Sequence, residues 1–244
     1  MTKILLVTGG GRGIGAAIVR QAAKSGCDVA INYLRDAAAA EAVAADVRAA
    51  GQRVVTIKGD MAQEADVERT FRTIDQQLGR LTHLVYNAGA TGGYSRLEDA
   101  DVAMMRSVLE LNVLGALMCV KAAAARMSVK KGGQGGAIVL ISSMAAILGS
   151  AGEYVWYAAS KGAIDSMTVG LSRELAAENI RVNAVAPGLI ETGLHPPGRL
   201  ERLAPMMPIP RAGSPEEVAA AVLFLLSDAS SYTTGTNLRV SGGR

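Results

Sequence analysis

Short runs of aliphatic and β-branched residues recur along the chain at 4–7, 29–33, 54–57, 84–86, 138–141, 182–185 and 238–240, and they read as seven strands. The stretches between them, at 14–24, 37–50, 65–78, about 104–127, 157–177 and 215–226, have the length and alanine-rich composition of helices. Regular alternation of the two predicts an α/β fold with a doubly wound parallel sheet and helices on both faces. No internal repeat and no dividing linker interrupts it, so residues 1–244 are expected to form a single domain. The glycine-rich stretch 130–136 reads as a surface loop before the fifth strand.

Residues 188–213 break the rhythm. Five prolines, Pro196, Pro197, Pro205, Pro208 and Pro210, fall in this segment. It follows the sixth strand at its carboxyl end, the edge where open α/β sheets bind ligands. A mobile substrate lid is the functional reading, and an irregular loop packing the end of the sheet is the structural one.

Half of the 244 residues are hydrophobic but only 4% are aromatic, so the core must be built from Ala, Val, Ile, Leu and Met. The formal net charge of +3 arises from 25 basic and 22 acidic residues with no basic block, which argues against a nucleic-acid partner. Met1-Thr2-Lys3 runs straight into the first strand, leaving no room for a signal peptide, and no apolar run is expected to reach the ~18 residues of a membrane span. A soluble, cytoplasmic protein is the expectation. Cys27 and Cys119 lack CxxC spacing and suit a reducing compartment, as small buried residues. His83, at the start of a strand, and His195, in the proline-rich segment, are expected to be structural or solvent-facing, and no metal site is foreseen.

Candidate chemistry lies elsewhere. Tyr157 and Lys161 are four residues apart in a predicted helix and so share a face, with Ser143 upstream. A cation beside a phenol is expected to draw its pKa down from about 10, readying it to exchange a proton. Near the N-terminus, Thr8-Gly9-Gly10-Gly11-Arg12-Gly13-Ile14-Gly15 joins the first strand to the first helix. Backbone amides of such a turn, with the helix N-terminus behind them, can hold the pyrophosphate of a dinucleotide whose ring exchanges hydride. Proton and hydride together describe a carbonyl reductase or an alcohol dehydrogenase. The choice of dinucleotide is read at the end of the second strand, where an acid favours the ribose hydroxyl of NAD. This chain has Asn32-Tyr33-Leu34-Arg35 there and Arg12 in the glycine loop, which favours the phosphate of NADP. The alternatives are that both arginines are ordinary surface cations, or that Asp36 restores the acid and with it NAD.

These residues resemble the classical short-chain dehydrogenase/reductase family over essentially the whole chain. Thr8 to Gly15 is similar to its TGxxxGxG motif and Asn87-Ala88-Gly89 to its NAG. Asn112, Ser143, Tyr157 and Lys161 are similar to its catalytic tetrad, and Pro187-Gly188 to the PG after the sixth strand. Tyr86 replaces the first Asn of NNAG, and Gly10-Gly11 enriches the loop in glycine. The resemblance implies a single Rossmann-type domain assembled as a homotetramer or homodimer. It implies that Tyr157 transfers the proton and that Ser143, the second serine of its pair, polarises the substrate oxygen. Lys161 would lower the Tyr157 pKa and bind the nicotinamide ribose, while Asn112 would hold a water of a proton relay. Cofactor contacts are implied for Gly9, Gly11, Arg12, Gly13 and Ile14, and for Asn32, Tyr33, Leu34 and Arg35. Asp60 and Met61 would lie by the adenine, Asn87, Ala88 and Gly89 by the adenosine ribose, and Pro187, Gly188, Ile190 and Thr192 near the nicotinamide.

An NADP-dependent oxidoreductase interconverting a ketone and a secondary alcohol is the leading expectation, with 3-oxoacyl thioesters, sugars or small ketones as open substrate classes. A catalytically silent dinucleotide-binding sensor or scaffold is the alternative. Trp156 cannot share a helical face with Tyr157 and is expected to meet a neighbouring helix or subunit. Substrate contacts are expected from Glu153, Tyr154, residues 91–94 and the lid.

Overall fold

The computed structural model describes residues 3–193 and 196–244. His195 lies outside the described residues. Seven strands, β1 (Lys3–Val7), β2 (Cys27–Tyr33), β3 (Val54–Lys58), β4 (His83–Tyr86), β5 (Gly136–Ile141), β6 (Ile180–Pro187) and β7 (Asn237–Val240), form one parallel sheet in the order β3-β2-β1-β4-β5-β6-β7. Order reverses between β1 and β4, which open a crevice at their carboxyl ends. Nine α-helices occur among the described residues: α1 (Gly13–Lys24), α2 (Ala37–Ala49), α3 (Glu64–Gln77), α4 (Val102–Leu109), α5 (Gly115–Met127), α6 (Ala145–Leu148), α7 (Val155–Glu174), α8 (Arg199–Leu203) and α9 (Pro215–Leu226).

The strand period of two sorts side chains into two cores. Leu5 and Val7 face a layer with Ile18 and Val19 of α1, Val43 of α2 and Val222 of α9. Ile4 and Leu6 face the other layer, with Phe71 of α3, Val120 of α5 and Ile164 of α7. Burial of both sheet faces is why the strand signal in the sequence is aliphatic runs instead of alternation. The start of α9 is fixed by a capping box, in which Ser214 Oγ accepts from Glu217 N and Glu217 Oε2 accepts from Ser214 N, with Pro215 in the first turn.

The long helix predicted over 104–127 is two α-helices joined by a π-helical turn at Glu110–Leu114. Together they run Val102–Met127, 26 residues reaching a mean hydropathy of 1.7, which corrects the expectation that no stretch is long and apolar enough to cross a membrane. The apolarity has a local cause: Ala116, Cys119, Val120, Ala123 and Met127 bury one face against the sheet, while Leu109, Leu114 and Leu117 are exposed on the other.

Segment 188–213 leaves and rejoins the fold at one point. Ile190 and Gly213 form a β-bridge, with Glu191 N donating to Gly213 O at 2.8 Å and Gly213 N to Leu189 O at 2.9 Å. Ends tied this closely make the segment a loop of its own over the crevice, carrying the short α8.

Candidate active site

At the first β-to-α turn, α1 begins without a side-chain cap, because Arg12 at the N-cap position has no acceptor, and no acid occupies its first turn. The leading amides are therefore free for an anion. Gly15 is required by proximity: a Cβ there would lie 2.3 Å from Gly9 O and 2.7 Å from Asn87 Nδ2. Gly13 has φ +52°, in the left-handed region. This turn fits a pyrophosphate, and the adjoining residues would hold the rest of a dinucleotide. At its rim, Arg12, Leu34 and Arg35 are exposed, Tyr33 is half-buried, and neither arginine makes an ion pair among the described residues. Asp36, the acid that could have favoured NAD, accepts from Ala39 N at 2.9 Å as the cap of α2.

Four predicted cofactor residues, Asn32, Met61, Asp60 and Asn87, have side chains engaged with the scaffold. Asn32 is 2% exposed, accepts from Gly9 N at 3.3 Å and donates to Gly59 O at 2.9 Å and Ile57 O at 3.3 Å, so it positions the loop instead of presenting groups to a ligand. Met61 is buried in the core, with Cys119 Sγ donating to its sulfur at 3.7 Å. Asp60 is half-buried and accepts from Ala62 N at 2.9 Å, holding the turn after β3. Thr8, absent from the expected contacts, proves central: its hydroxyl accepts from Asn87 N and Ala88 N, both at 2.9 Å, while Asn87 Nδ2 donates to Thr8 O at 3.0 Å and Gly9 O at 3.1 Å.

A cavity of 410 Å³ opens beside this turn and gathers Ile14, Asn87, Gly89, Ser143, Tyr157, Lys161, Pro187, Gly188, Ile190 and Thr192 from the predicted set. Gly9, Gly11, Arg12, Gly13, Ala88 and Asn112 are not among its lining. Thr91, Glu153, Tyr154 and, from the expected lid, Arg199 line it; Gly92, Gly93 and Tyr94 are not among its lining, and Arg244 and Leu148 were not foreseen. Nothing local marks Arg199, whose partner Glu153 is 46 residues away. Trp156 turns away from the cavity: its indole N–H donates to Thr91 O at 2.8 Å and its ring packs with Val108, Met104 and Met105, so the neighbour it meets is α4 of its own chain.

The two serines after β5 diverge. Ser142 donates to Asp165 Oδ1 and, at 3.4 Å, to Lys161 O, tying the strand to α7. Ser143 lines the cavity, accepts from Ala145 N at 3.1 Å and hydrogen-bonds Tyr157. Lys161 is 5% exposed and donates to Ile141 O at 2.8 Å, with Nζ 5.6 Å from the centre of the Tyr157 ring.

This geometry corrects the expected acidity. Burial pushes the Tyr157 phenol up to about 12, and only its hydrogen bond with Ser143 pulls it back. Burial likewise brings the Lys161 ammonium down to about 8, against the pull of Asp165. The ammonium sits over the ring and on a carbonyl, away from the hydroxyl, so the pair as folded holds a protonated tyrosine at neutral pH.

Asn112 is fully buried in the π turn, where its Oδ1 accepts from Ala90 N at 2.9 Å and its Nδ2 donates to Ala90 O at 3.0 Å and Ser160 Oγ at 2.9 Å. Both Nδ2 hydrogens of the side chain expected to hold a relay water are engaged with protein groups, and its Oδ1 accepts one bond. Ser160 passes the tie on by donating to Tyr157 O at 2.7 Å. Gly89 leaves the remaining space: a Cβ there would lie 3.2 Å from Asn112 Oδ1 and 3.5 Å from Lys161 Nζ.

The profile of the family described as enoyl-(acyl carrier protein) reductase matches residues 9–244. The chain is 45% identical over 245 residues to an uncharacterized oxidoreductase, YgfF, of Escherichia coli (strain K12), covering 99% of each. The chain belongs to the short-chain dehydrogenase/reductase family. It is an oxidoreductase of that family, whose members bind NAD or NADP. A short-chain dehydrogenase/reductase relative from Synechocystis, 3-oxoacyl-(acyl-carrier-protein) reductase, is 35% identical over 246 residues, 99% of this chain and 96% of its own. A short-chain dehydrogenase from Burkholderia cenocepacia, solved in complex with NADP, superposes with a TM-score of 0.92 at 35% identity, covering 99% of this chain and 97% of that one.

Proposed function

We propose that this chain interconverts a ketone and a secondary alcohol, using NADP, with Tyr157 as the acid and base. The observation that carries the reading is the convergence of Ser143, Tyr157 and Lys161 on the one cavity that adjoins the glycine turn. When bound, the reduced nicotinamide ring supplies the hydride. Ser143 offers its hydroxyl to the substrate oxygen, and Tyr157, protonated at neutral pH, delivers the proton to that oxygen. Lys161, over the ring and bonded to Ile141 O, would hold the nicotinamide ribose when the cofactor is bound, and the proton given up by Tyr157 returns from solvent through the cavity. Asn112, through Ser160, holds the first turn of α7 so that Tyr157 keeps its place.

NADP is favoured over NAD by two exposed arginines at the rim, Arg12 and Arg35, without an ion pair among the described residues, and by Asp36 being engaged as a helix cap. Assembly as a homodimer or homotetramer belongs to the same reading, supported by the exposed Val102, Leu109, Leu114 and Leu117 along α4 and α5. Two free, buried cysteines suit a reducing cytoplasm. A panel of ketones assayed by nicotinamide absorbance with each cofactor tests the function: ketone-dependent oxidation of NADPH is expected, and none with either cofactor overturns it.

A further inference from the structure

Arg199 belongs to none of the sequence motifs and takes no part in the proton transfer, yet α8 carries it into the catalytic cavity. Its side chain is 6% exposed and grips Glu153 with both Nη atoms, Nη1 donating to Oε1 and Nη2 to Oε2 at 2.7 Å; Nη2 also donates to Tyr154 OH at 3.1 Å. The rings of Tyr94 and Tyr154, packed edge to face with centres 4.8 Å apart, lie on one side of the guanidinium, each with its centre 5.7 Å from Cζ. Tyr154 in turn packs edge-on against Tyr157 at 5.4 Å, so the guanidinium sits one aromatic ring beyond the proton donor.

A guanidinium has five N–H donors, and these contacts use three. Nε is buried with no hydrogen-bond partner among the described residues, and the second N–H of Nη1 also lacks one among them. Stability does not account for such an arrangement, because a buried ion pair is commonly no better than well-packed apolar side chains of the same volume, and an unmade buried hydrogen bond is a cost. Nε is closed off by protein, which leaves the unused N–H of Nη1, on a residue that lines the cavity, as the donor suited to a substrate oxygen. Glu153 already balances the positive charge, and its carboxylate, 32% exposed beside the same cavity, would repel an anion. A neutral hydroxyl or carbonyl oxygen meets neither objection.

We propose that Arg199 is a specificity-determining residue that reads a second, neutral oxygen on the substrate, so that hydroxyketones and their diols are preferred over plain ketones and over keto acids. This rests on the ketone-reducing function above and names its substrate class. The test compares kcat and KM for three four-carbon ketones, butanone, acetoin and acetoacetate, in the native chain and in Arg199→Met. In the native chain acetoin should exceed butanone in kcat/KM by about tenfold or more, the scale of one hydrogen bond to a charged donor, with acetoacetate no better than butanone. Arg199→Met should bring the acetoin-to-butanone ratio close to one, through KM. Arg199→Lys, which keeps the cation for Glu153 but loses the fork, should lower the ratio likewise and serves where the Met variant does not fold. Glu153→Gln should improve acetoacetate relative to acetoin. A native ratio near one, a native preference for acetoacetate, or an equal loss on both neutral ketones in the variants overturns the proposal alone. Oxidation of NADPH by none of the three, in protein that oxidises it with another ketone of the panel, overturns this proposal alone, whereas no oxidation with any ketone of the panel overturns the ketone-reducing function and this proposal with it.

Discussion

Lys161 Nζ lies over the ring of Tyr157, 5.6 Å from its centre, and donates to Ile141 O at 2.8 Å instead of to the phenol. The tyrosine is thus a proton donor at neutral pH by virtue of burial, and its hydroxyl is the atom on which the proposed chemistry depends. Tyr157→Phe should lower kcat by about 10² to 10⁴, the usual contribution of a general acid, while leaving NADPH affinity within a few fold. Steady-state rates and a fluorescence titration on the same preparation check it; native turnover in the Phe variant would remove Tyr157 from the mechanism.

Arg12 is the exposed N-cap of α1, with its guanidinium unpaired among the described residues. Arg12→Ala should weaken NADPH by about tenfold, as expected for loss of one charge-assisted phosphate contact, and change NADH little. Titration with both cofactors measures the selectivity, and equal weakening of the two would show that Arg12 supports the turn without reading the phosphate.

His83 supplies a pH-dependent element of stability. It is buried, with Nδ1 2.8 Å from Thr82 Oγ1 and Nε2 3.2 Å from Leu226 O, and burial lowers its pKa from 6.5 to about 4, helped by Lys3 and Arg181 and opposed by the Leu226 carbonyl and, less, by Asp228. Between those values the unfolded chain binds more protons, so the stabilisation is complete above pH 6.5 and is lost as the pH falls through about 4. A shift of this size corresponds to about 3 kcal/mol at 1.36 kcal/mol per unit. Urea denaturation across this window should show a slope that flattens in His83→Gln, and an unchanged slope would assign the acid sensitivity elsewhere.

Trp156 is 5% exposed, hydrogen-bonded to Thr91 O and packed on α4. Trp156→Ala should therefore destabilise the fold by about 3 to 5 kcal/mol, the cost typical of removing a buried large aromatic. Because Thr91 lines the cavity, KM should rise as well. Denaturation midpoints and kinetics test this, and a stable variant with lost assembly would move the residue to a subunit interface.

The central strands were legible because burial on both faces leaves a short aliphatic run, as at Leu5 to Val7 and Ile138 to Ile141, which its length sets apart from the apolar run of α9. The start of α9 was legible from Pro215, behind which the capping residues Ser214 and Glu217 stand. The π turn was not, since Glu110 to Leu114 keeps helical periodicity and its cause is Asn112 bonding to Ala90 and Ser160, 22 and 48 residues away. The same holds for the acidity of Tyr157: spacing puts Lys161 on its face of the helix, but the depth of burial and the claim of Ile141 O on the ammonium belong to the tertiary structure. Motif residues showed which side chains share the cavity more readily than which ones support it, and Thr8 and Asn32 are of the second kind.

The hydroxyl of Thr8 receives the amides of Asn87 and Ala88 at equal length, while the amide of Asn87 reaches back to Thr8 and Gly9. Two crossovers separated by almost eighty residues of chain thereby behave as one hinge-free bracket. For anyone recombining this scaffold with a relative, the first and fourth strand tips travel as a pair: a graft that loses Thr8 removes the two bonds to its hydroxyl and one that loses Asn87 removes the other two, whereas residues 33–35, outside the bracket, can be rewritten to retune the dinucleotide without disturbing it.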